Sequence, residues 1–343
     1  MTGYERINAV LNQKLPDRTP SMLHCFMPAA REMGITMEEY RSNPENIADA
    51  HIAMARKYHL DGLLMDIDTC VEAAAIGVPV DYPKDIVARV TGPMSDDLEY
   101  LIDEMDPEKL LKCDRIKIML ESVNIAKKKV GGELFVRGNC DQMAFSLAML
   151  AYGMSEFLEA LLDEDQEEQI FRLLDRAYDV HLAFHKMMNE AGADCTSFGD
   201  SPCGPDVVSR ACYEKYAYPY HKRLKQDLDT MGIRTICHIC GNLDKIIDDV
   251  ADIGFAGVEV DYKTNIENAA RVFRGKSAFF GPLDPSSVFY LGTPEKVALE
   301  TRKVLDIFQG RNLVIGAGCA MPKDTSEENL RAFEHTVLNY RIM

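Results

Sequence analysis

The sequence predicts a single-domain (β/α)8 TIM barrel, of the α/β class, spanning residues 1–343. Short runs of β-branched and apolar residues bounded by turn formers alternate with longer amphipathic stretches, as in βα units on a parallel sheet. Eight such runs occur with no long linker between them, which favours a closed barrel over an open doubly wound sheet. A length of 343 residues suits one barrel and does not force a second domain.

The expected strands are 19–24, 62–66, 133–138, 193–198, 233–238, 257–261, 277–281 and 312–316. Between them the helix signals are ordinary. Asn43 and Pro44 read as an N-cap and first turn, followed by Ile47, Ala50, Met54, Ala55 and Tyr58 on one face. Thr293 and Pro294 open another helix with Val297, Val304 and Phe308 inward, and Gly310 is its expected stop. Segment 81–111 breaks the alternation and reads as an insertion after the second strand.

Hydrophobic residues make up 47% of the chain and charged ones 27%, the balance of a folded globular protein. A net charge of −17 repels phosphate backbones and anionic lipid, so neither nucleic acid nor a membrane is an expected partner. No apolar run approaches the roughly 20 residues that cross a bilayer, and the first residues lack a signal-peptide layout. The cytoplasm is the expected compartment. Ten scattered cysteines read as reduced thiols, some of them free to bind metal.

The segment Thr235-Ile-Cys-His-Ile-Cys-Gly-Asn242 puts His238 and Cys240 two residues apart at a strand end, ahead of a helix expected to be capped by Asn242. Residues two apart in extended chain point the same way, so imidazole and thiolate can meet one cation. Leu313-Val-Ile-Gly-Ala-Gly-Cys319 brings a third donor along another strand into a Gly-rich turn. Both strand ends open onto the C-terminal face of a barrel, where active sites sit. Two thiolates and an imidazole suit zinc, and three ligands leave a fourth position for substrate or water. A lone His-x-Cys is more often a buried pair; the strand-end placement and the distant Cys319 tip the reading to Zn2+. Cys237 faces the other side of its strand and belongs to the core.

At these residues the chain resembles the uroporphyrinogen decarboxylase superfamily, and within it the corrinoid-dependent methyltransferases of the methylcobamide:coenzyme M type. The resemblance runs through His238-Ile-Cys-Gly-Asn242, Val258-Glu-Val-Asp261, Gly281-Pro-Leu-Asp-Pro285, Gly316-Ala-Gly-Cys-Ala-Met-Pro322 and Thr325–Leu330. It covers nearly the whole chain and is strongest from Cys237 onward. It implies a catalytic zinc on His238, Cys240 and Cys319. The decarboxylases instead carry an Arg-Gln-Ala-Gly-Arg motif that holds substrate carboxylates; here the matching stretch is Met27-Pro-Ala-Ala-Arg31, with Met27 in place of one arginine. Their catalytic Asp matches Asp68, whereas Glu72 matches a Glu of the methyltransferases and is the expected fourth zinc ligand in the resting state.

Further candidates follow the other strands. Asp66, Asp68 and Glu72 form an acidic cluster after the second. Asn139 and Asp141 either face the pocket or cap a helix. Asp200 either lines the substrate or makes an Asx turn. His24 either reaches the mouth or is a satisfied structural histidine. Met22, Met27, Met65 and Met143 could form an adaptable apolar wall.

The expected reaction is methyl transfer between a small molecule and the cobalt of a corrinoid (cobalamin). No Asp-x-His-x-x-Gly carrier motif occurs, so the corrinoid arrives on a partner protein docking over the mouth. The small molecule is a methoxylated compound, methanol or a thiol. The competing readings are a metal-free porphyrinogen decarboxylase and a non-enzymatic zinc-storing barrel; metal content and corrinoid-dependent turnover separate them.

Overall fold

The structure is a computed structural model describing residues 1–341. Strand β1 (Gly62–Met65) is followed by a small antiparallel hairpin of β2 (Val80–Asp81) and β3 (Arg89–Val90). Then come β4 (Phe135–Gln142), β5 (Cys195–Gly199), β6 (Thr235–Ile239), β7 (Gly257–Val260), β8 (Ala278–Leu283) and β9 (Leu313–Ala317). These and β1 form one parallel sheet in the order β1-β4-β5-β6-β7-β8-β9. Intervening helices cover its outer face, and β1, β7, β8 and β9 are buried at every position, as strands of a two-side-covered parallel sheet must be.

Seven of the eight expected strands therefore form ladders, and the first, 19–24, shrinks to one bridge between Ser21 and Ile315. It still closes the barrel. Met22 N–H donates to Ile315 O (3.1 Å), Ile315 N–H to Pro20 O (2.9 Å) and Asp61 N–H to Ser21 O (2.8 Å). The shortening has a local cause: Pro20 has no N–H to give, and Ser21 gives its own to the Asp61 carboxylate at 2.9 Å.

Leu64, Phe135, Ile236, Phe280 and Val314, each from a different strand, pack inside the barrel against Ile7 and Val10 of the N-terminal helix Gly3–Leu11. A larger core lies between sheet and helices and includes Cys237. The Asn43 side chain caps helix Pro44–Lys57, and Thr293 caps helix Pro294–Phe308, which ends at left-handed Gln309 just before Gly310. Asn242 does not cap a helix. The next one, Ile247–Ile253, starts later without a side-chain cap, and Asn242 Oδ1 accepts instead from Asp244 N–H in an Asx turn (2.8 Å). Segment 81–111, inserted between β1 and β4, holds part of the hairpin, the short helix Leu98–Glu104 and most of Glu108–Lys112, and packs Leu98, Leu101, Ile102, Met105 and Leu110 into the main core.

Candidate functional site

His238 is the fourth residue of β6 and Cys240 follows the strand end directly. Gly241 then turns the chain at φ +91°, which favours glycine. Its N–H is held by the Asp261 carboxylate (3.0 Å), and Cys240 N–H by Ser201 Oγ (3.2 Å). Cys319 arrives beyond β9, where Gly316 and Gly318 leave no space for a side chain: a Cβ would lie 2.0 Å from Met22 O and 2.7 Å from Val260 O.

The three side chains converge. His238 Nε2 lies 2.9 Å from Cys240 Sγ, which lies 3.5 Å from Cys319 Sγ. All three donor atoms fall within 4.8 Å of one another. His238 Nδ1 meets the Glu259 carbonyl oxygen at 3.2 Å; a carbonyl only accepts, so Nδ1 carries the proton and Nε2 is the atom left for a metal. The hydrogen bond from Cys319, together with the His238 ring, holds the Cys240 thiol down at about 3 despite burial. The same pairing pushes Cys319 up. Burial opposes a charged His238, but the Cys240 sulfur and Glu259 outweigh it and raise the ring to about 9. A metal entering here displaces protons.

The cluster opens into a cavity of about 390 Å³ lined also by His24, Asn139 and Asp141. His24 Nε2 bonds Asp66 Oδ2 at 2.7 Å, and Asn139 Nδ2 donates to the same oxygen at 3.2 Å, so His24 is both a wall residue and a satisfied one. Neither Asn139 nor Asp141 caps a helix: β4 extends past them, and helix Ala144–Tyr152 begins after Met143. The ladder shifts register between Asn139 and Gln142, with Asp141 left-handed at φ +61°. Burial and the neighbouring Asp66, Asp68 and Glu72 push the Asp141 carboxyl well up. Leu64, Met149, Leu150 and Met154 supply the apolar wall; the Phe198 ring points to the other side of β5, among His181, His185, His221 and Phe255. Of the four methionines expected there, Met22, Met65 and Met143 are buried in the core.

Four expected site residues, Glu72, Asp68, Asp200 and Met27, stand elsewhere. Glu72, on helix Val71–Ile76, is fully buried with both oxygens 3.3 Å from His181 Nδ1; it is in neither the metal cluster nor the cavity wall, which corrects its expected place as fourth ligand. Asp68 is buried, ion-paired with Arg115, and accepts from Cys70 N–H. Asp200 does not line the cavity either. One of its oxygens accepts from Ser146 N–H and Oγ–H (2.9 and 2.5 Å) and the other meets His221 Nε2 at 2.9 Å. It braces β5 against the helix starting at Ala144. Each of these carboxylates found a partner within the fold, which a buried charge requires.

Two charged cavity residues escaped the sequence reading. Arg137 and Glu259 both line the cavity and form a buried ion pair at 2.5 Å. Their signal was present: a charged residue inside an otherwise apolar strand, as in Phe135-Val-Arg and Gly257-Val-Glu-Val, marks a side chain that must find a partner inside the barrel. Also missed was the pair His181 and His185, four apart on helix Glu167–Glu190. His185 Nδ1 bonds Thr196 Oγ1 (2.7 Å), and its Nε2 lies 3.0 Å from His181 Nε2.

The uroporphyrinogen decarboxylase (URO-D) family model matches residues 2–340. The chain belongs to the URO-D family. A methylcobamide:CoM methyltransferase of Methanosarcina acetivorans is 29% identical over 362 residues, covering 99% of this chain and all of that one. Another, from Methanosarcina barkeri, is 26% identical over 305 residues, covering 88% and 86%. A solved methyltransferase structure from Methanosarcina mazei superposes with a TM-score of 0.89 at 23% identity over 98% of each chain, which establishes the barrel architecture. In this URO-D chain, Met27 is half-buried on helix Phe26–Glu32 and packs against the core, outside the cavity wall. Arg31 lies in the last turn of that helix, 3.6 Å from Glu32. Among the described residues, no helix is long and apolar enough to cross a membrane.

Proposed function

We propose that this URO-D family chain is a zinc-dependent methyltransferase that moves a methyl group between a small molecule and the corrinoid of a separate carrier protein. The observation that carries the reading is the convergence of one imidazole and two sulfurs on a cavity at the C-terminal end of the barrel. Relatives named as methylcobamide:CoM methyltransferases over the full chain length support the reaction class. The donors also fit the ion. Tetrahedral zinc with ordinary bond lengths sets S···S edges of about 3.8 Å and N···S edges of about 3.6 Å. The sulfur pair at 3.5 Å is close to that, and the His238–Cys240 edge at 2.9 Å opens modestly. Zinc bound there supplies a Lewis acid that acidifies a thiol acceptor or stabilises the oxygen departing from a methyl ether.

The chain's own residues prepare the site. Glu259 O fixes the His238 tautomer, and Asp261 holds the loop that carries Cys240. The apolar wall keeps water from the methyl group, while Asn139 and His24, both tied to Asp66, and the carboxyl of Asp141 orient the polar part of the substrate. Asp200, Asp68 and Glu72 act as positioning residues behind the wall. The metal-free decarboxylase reading gains nothing from the cavity, since neither Met27 nor Arg31 of the matching stretch lines it.

Reconstituted protein is expected to hold about one zinc per chain. His238→Ala and Cys319→Ala should lose it while the barrel still melts cooperatively, because these ligands sit outside the packed core. Cobalt spectra with reduced or methylated corrinoid protein, run against thiols and methoxylated aromatics, test the reaction. Reconstituted wild type without zinc sinks the metal assignment, and no corrinoid-dependent methyl transfer across the panel sinks the reaction.

A further inference from the structure

The charge of the cavity bears on what it accepts. Among the described residues, three lining side chains can carry positive charge: Arg137, His24 and His238. Each is already committed. Arg137 pairs with Glu259 at 2.5 Å, with both side chains about nineteen-twentieths buried. His24 Nε2 pairs with Asp66 at 2.7 Å, and His238 is divided between the Glu259 carbonyl and Cys240. Asp141 adds a further carboxyl to the same wall. An anionic group entering away from the proposed zinc would give up its hydration and meet no uncommitted cationic side chain, which is the unfavourable case for burying charge. An uncharged molecule meets hydrogen-bonding groups and the apolar side chains of Met149, Leu150 and Met154 at no such cost.

We propose that the methyl donor or acceptor of this site carries no negative charge, and that Glu259 is the specificity-determining residue because it neutralises Arg137. The proposal rests on the methyltransferase reading for the words donor and acceptor, but the charge preference is a property of the cavity alone. 2-Mercaptoethanesulfonate, an anion, is therefore expected to be disfavoured at this site relative to an uncharged thiol. The predicted class is a compact, largely apolar methylated molecule or an uncharged thiol.

Calorimetric binding at pH 7 to the full-length protein tests it with two matched pairs of probes. 2-Methoxyphenol and 2-methoxybenzoate differ in charge and need neither metal nor corrinoid. 2-Mercaptoethanol and 2-mercaptoethanesulfonate make the same comparison on zinc-loaded protein. Wild type is expected to bind 2-methoxyphenol at least about tenfold more tightly than 2-methoxybenzoate, with the same sign for the thiols. Glu259→Gln frees the Arg137 guanidinium, so affinity for 2-methoxybenzoate should rise about tenfold or more while that for 2-methoxyphenol changes little. Circular dichroism melting confirms that the variant is folded; if it is not, the wild-type ether pair still decides. Equal or tighter binding of the anionic ether by wild type overturns the proposal, as does no binding of 2-methoxyphenol at millimolar concentration. A folded Glu259→Gln with unchanged affinity for 2-methoxybenzoate overturns the role of Glu259. Absent methyl transfer with the ether preference intact would instead count against the reaction and leave the charge preference standing.

Discussion

Glu72 faces His181 in a fully buried pocket, and the neighbours beyond decide how many protons they share. Thr196 Oγ–H donates to Arg234 O (3.2 Å), so it accepts from His185 Nδ1–H. His185, which burial and His181 keep well below the ordinary imidazole range, then accepts at Nε2 from His181 Nε2–H. One proton is left between His181 Nδ1 and Glu72. Glu72→Gln is expected to keep its zinc and lose about 1–3 kcal/mol of stability, the usual effect of disturbing a buried hydrogen-bonded group. Methyl transfer should survive at temperatures where the variant stays folded; a fall of about 10²–10⁴-fold with an unchanged Tm would return this carboxylate to acid–base catalysis. His51 gives a pH prediction. Burial, with a smaller push from His24, lowers its ring from 6.5 to about 4, while its Nε2–H donates to Tyr40 Oη (2.8 Å) and Tyr40 to Asp66 O. The unfolded chain therefore binds a proton that the folded chain refuses. The stabilisation is complete above pH 6.5 and is lost as pH falls toward 4; at pH 5 the loss is about 2 kcal/mol. Urea melts at pH 7 and 5 should show a drop about 2 kcal/mol larger for wild type than for His51→Gln, because His185 contributes to both. An equal drop in both would assign it to other groups.

Strands β6 and β9 carry the metal ligands, yet neither could do so from its own sequence alone. β6 needs Asp261, at the end of β7, to hold the turn after Cys240. β9 needs room to pass the closing segment, and Gly316 provides it. An Ala there would place its Cβ 2.0 Å from the Met22 carbonyl oxygen, a backbone atom that cannot swing aside as a side-chain tip does. Gly316→Ala is expected to cost about 1–3 kcal/mol or more by overpacking and to weaken zinc retention, because the Cys319 turn moves with the strand. A differential melt and metal titration check both. Wild-type values on both counts would show that the closing segment shifts freely.

For the molecule as a whole, closure depends on one carboxylate at the end opposite the site. Asp61, just before β1, is buried and accepts a two-point bond from Arg18 (2.7 and 2.9 Å), another from Arg6 (3.1 Å) and the Ser21 N–H (2.9 Å). It ties the N-terminal helix and the closing segment to β1. Asp61→Ala leaves the partly buried Arg18 guanidinium without its carboxylate and the Ser21 N–H without its acceptor, while Arg6 keeps Asp17, so a loss of about 3 kcal/mol is expected, with zinc content per folded chain unchanged. Equilibrium denaturation with metal analysis of the folded fraction tests this separation of stability from the site. Zinc loss in proportion to the lost stability would contradict it.

The sequence by itself determined the strand alternation and the grouping of His238, Cys240 and Cys319 proposed to hold the metal. Alternation of apolar runs follows from how each segment buries its face, and His-x-Cys at a strand end fixes two side chains on one side. His238, Cys240 and Cys319 were therefore legible without coordinates. Which carboxylates would reach the cavity was not. Glu72, Asp68 and Asp200 look as available in sequence as Asp141, but His181, Arg115, and Ser146 with His221 took them up. The pairing of Arg137 with Glu259, 122 positions apart, and the reduction of 19–24 to a bridge held by Asp61 were likewise decided only by tertiary structure. Periodicity is a local property of the chain. The partner of a buried polar group is chosen by competition among every donor and acceptor that folding brings within about 3 Å, and that competition has no local signature.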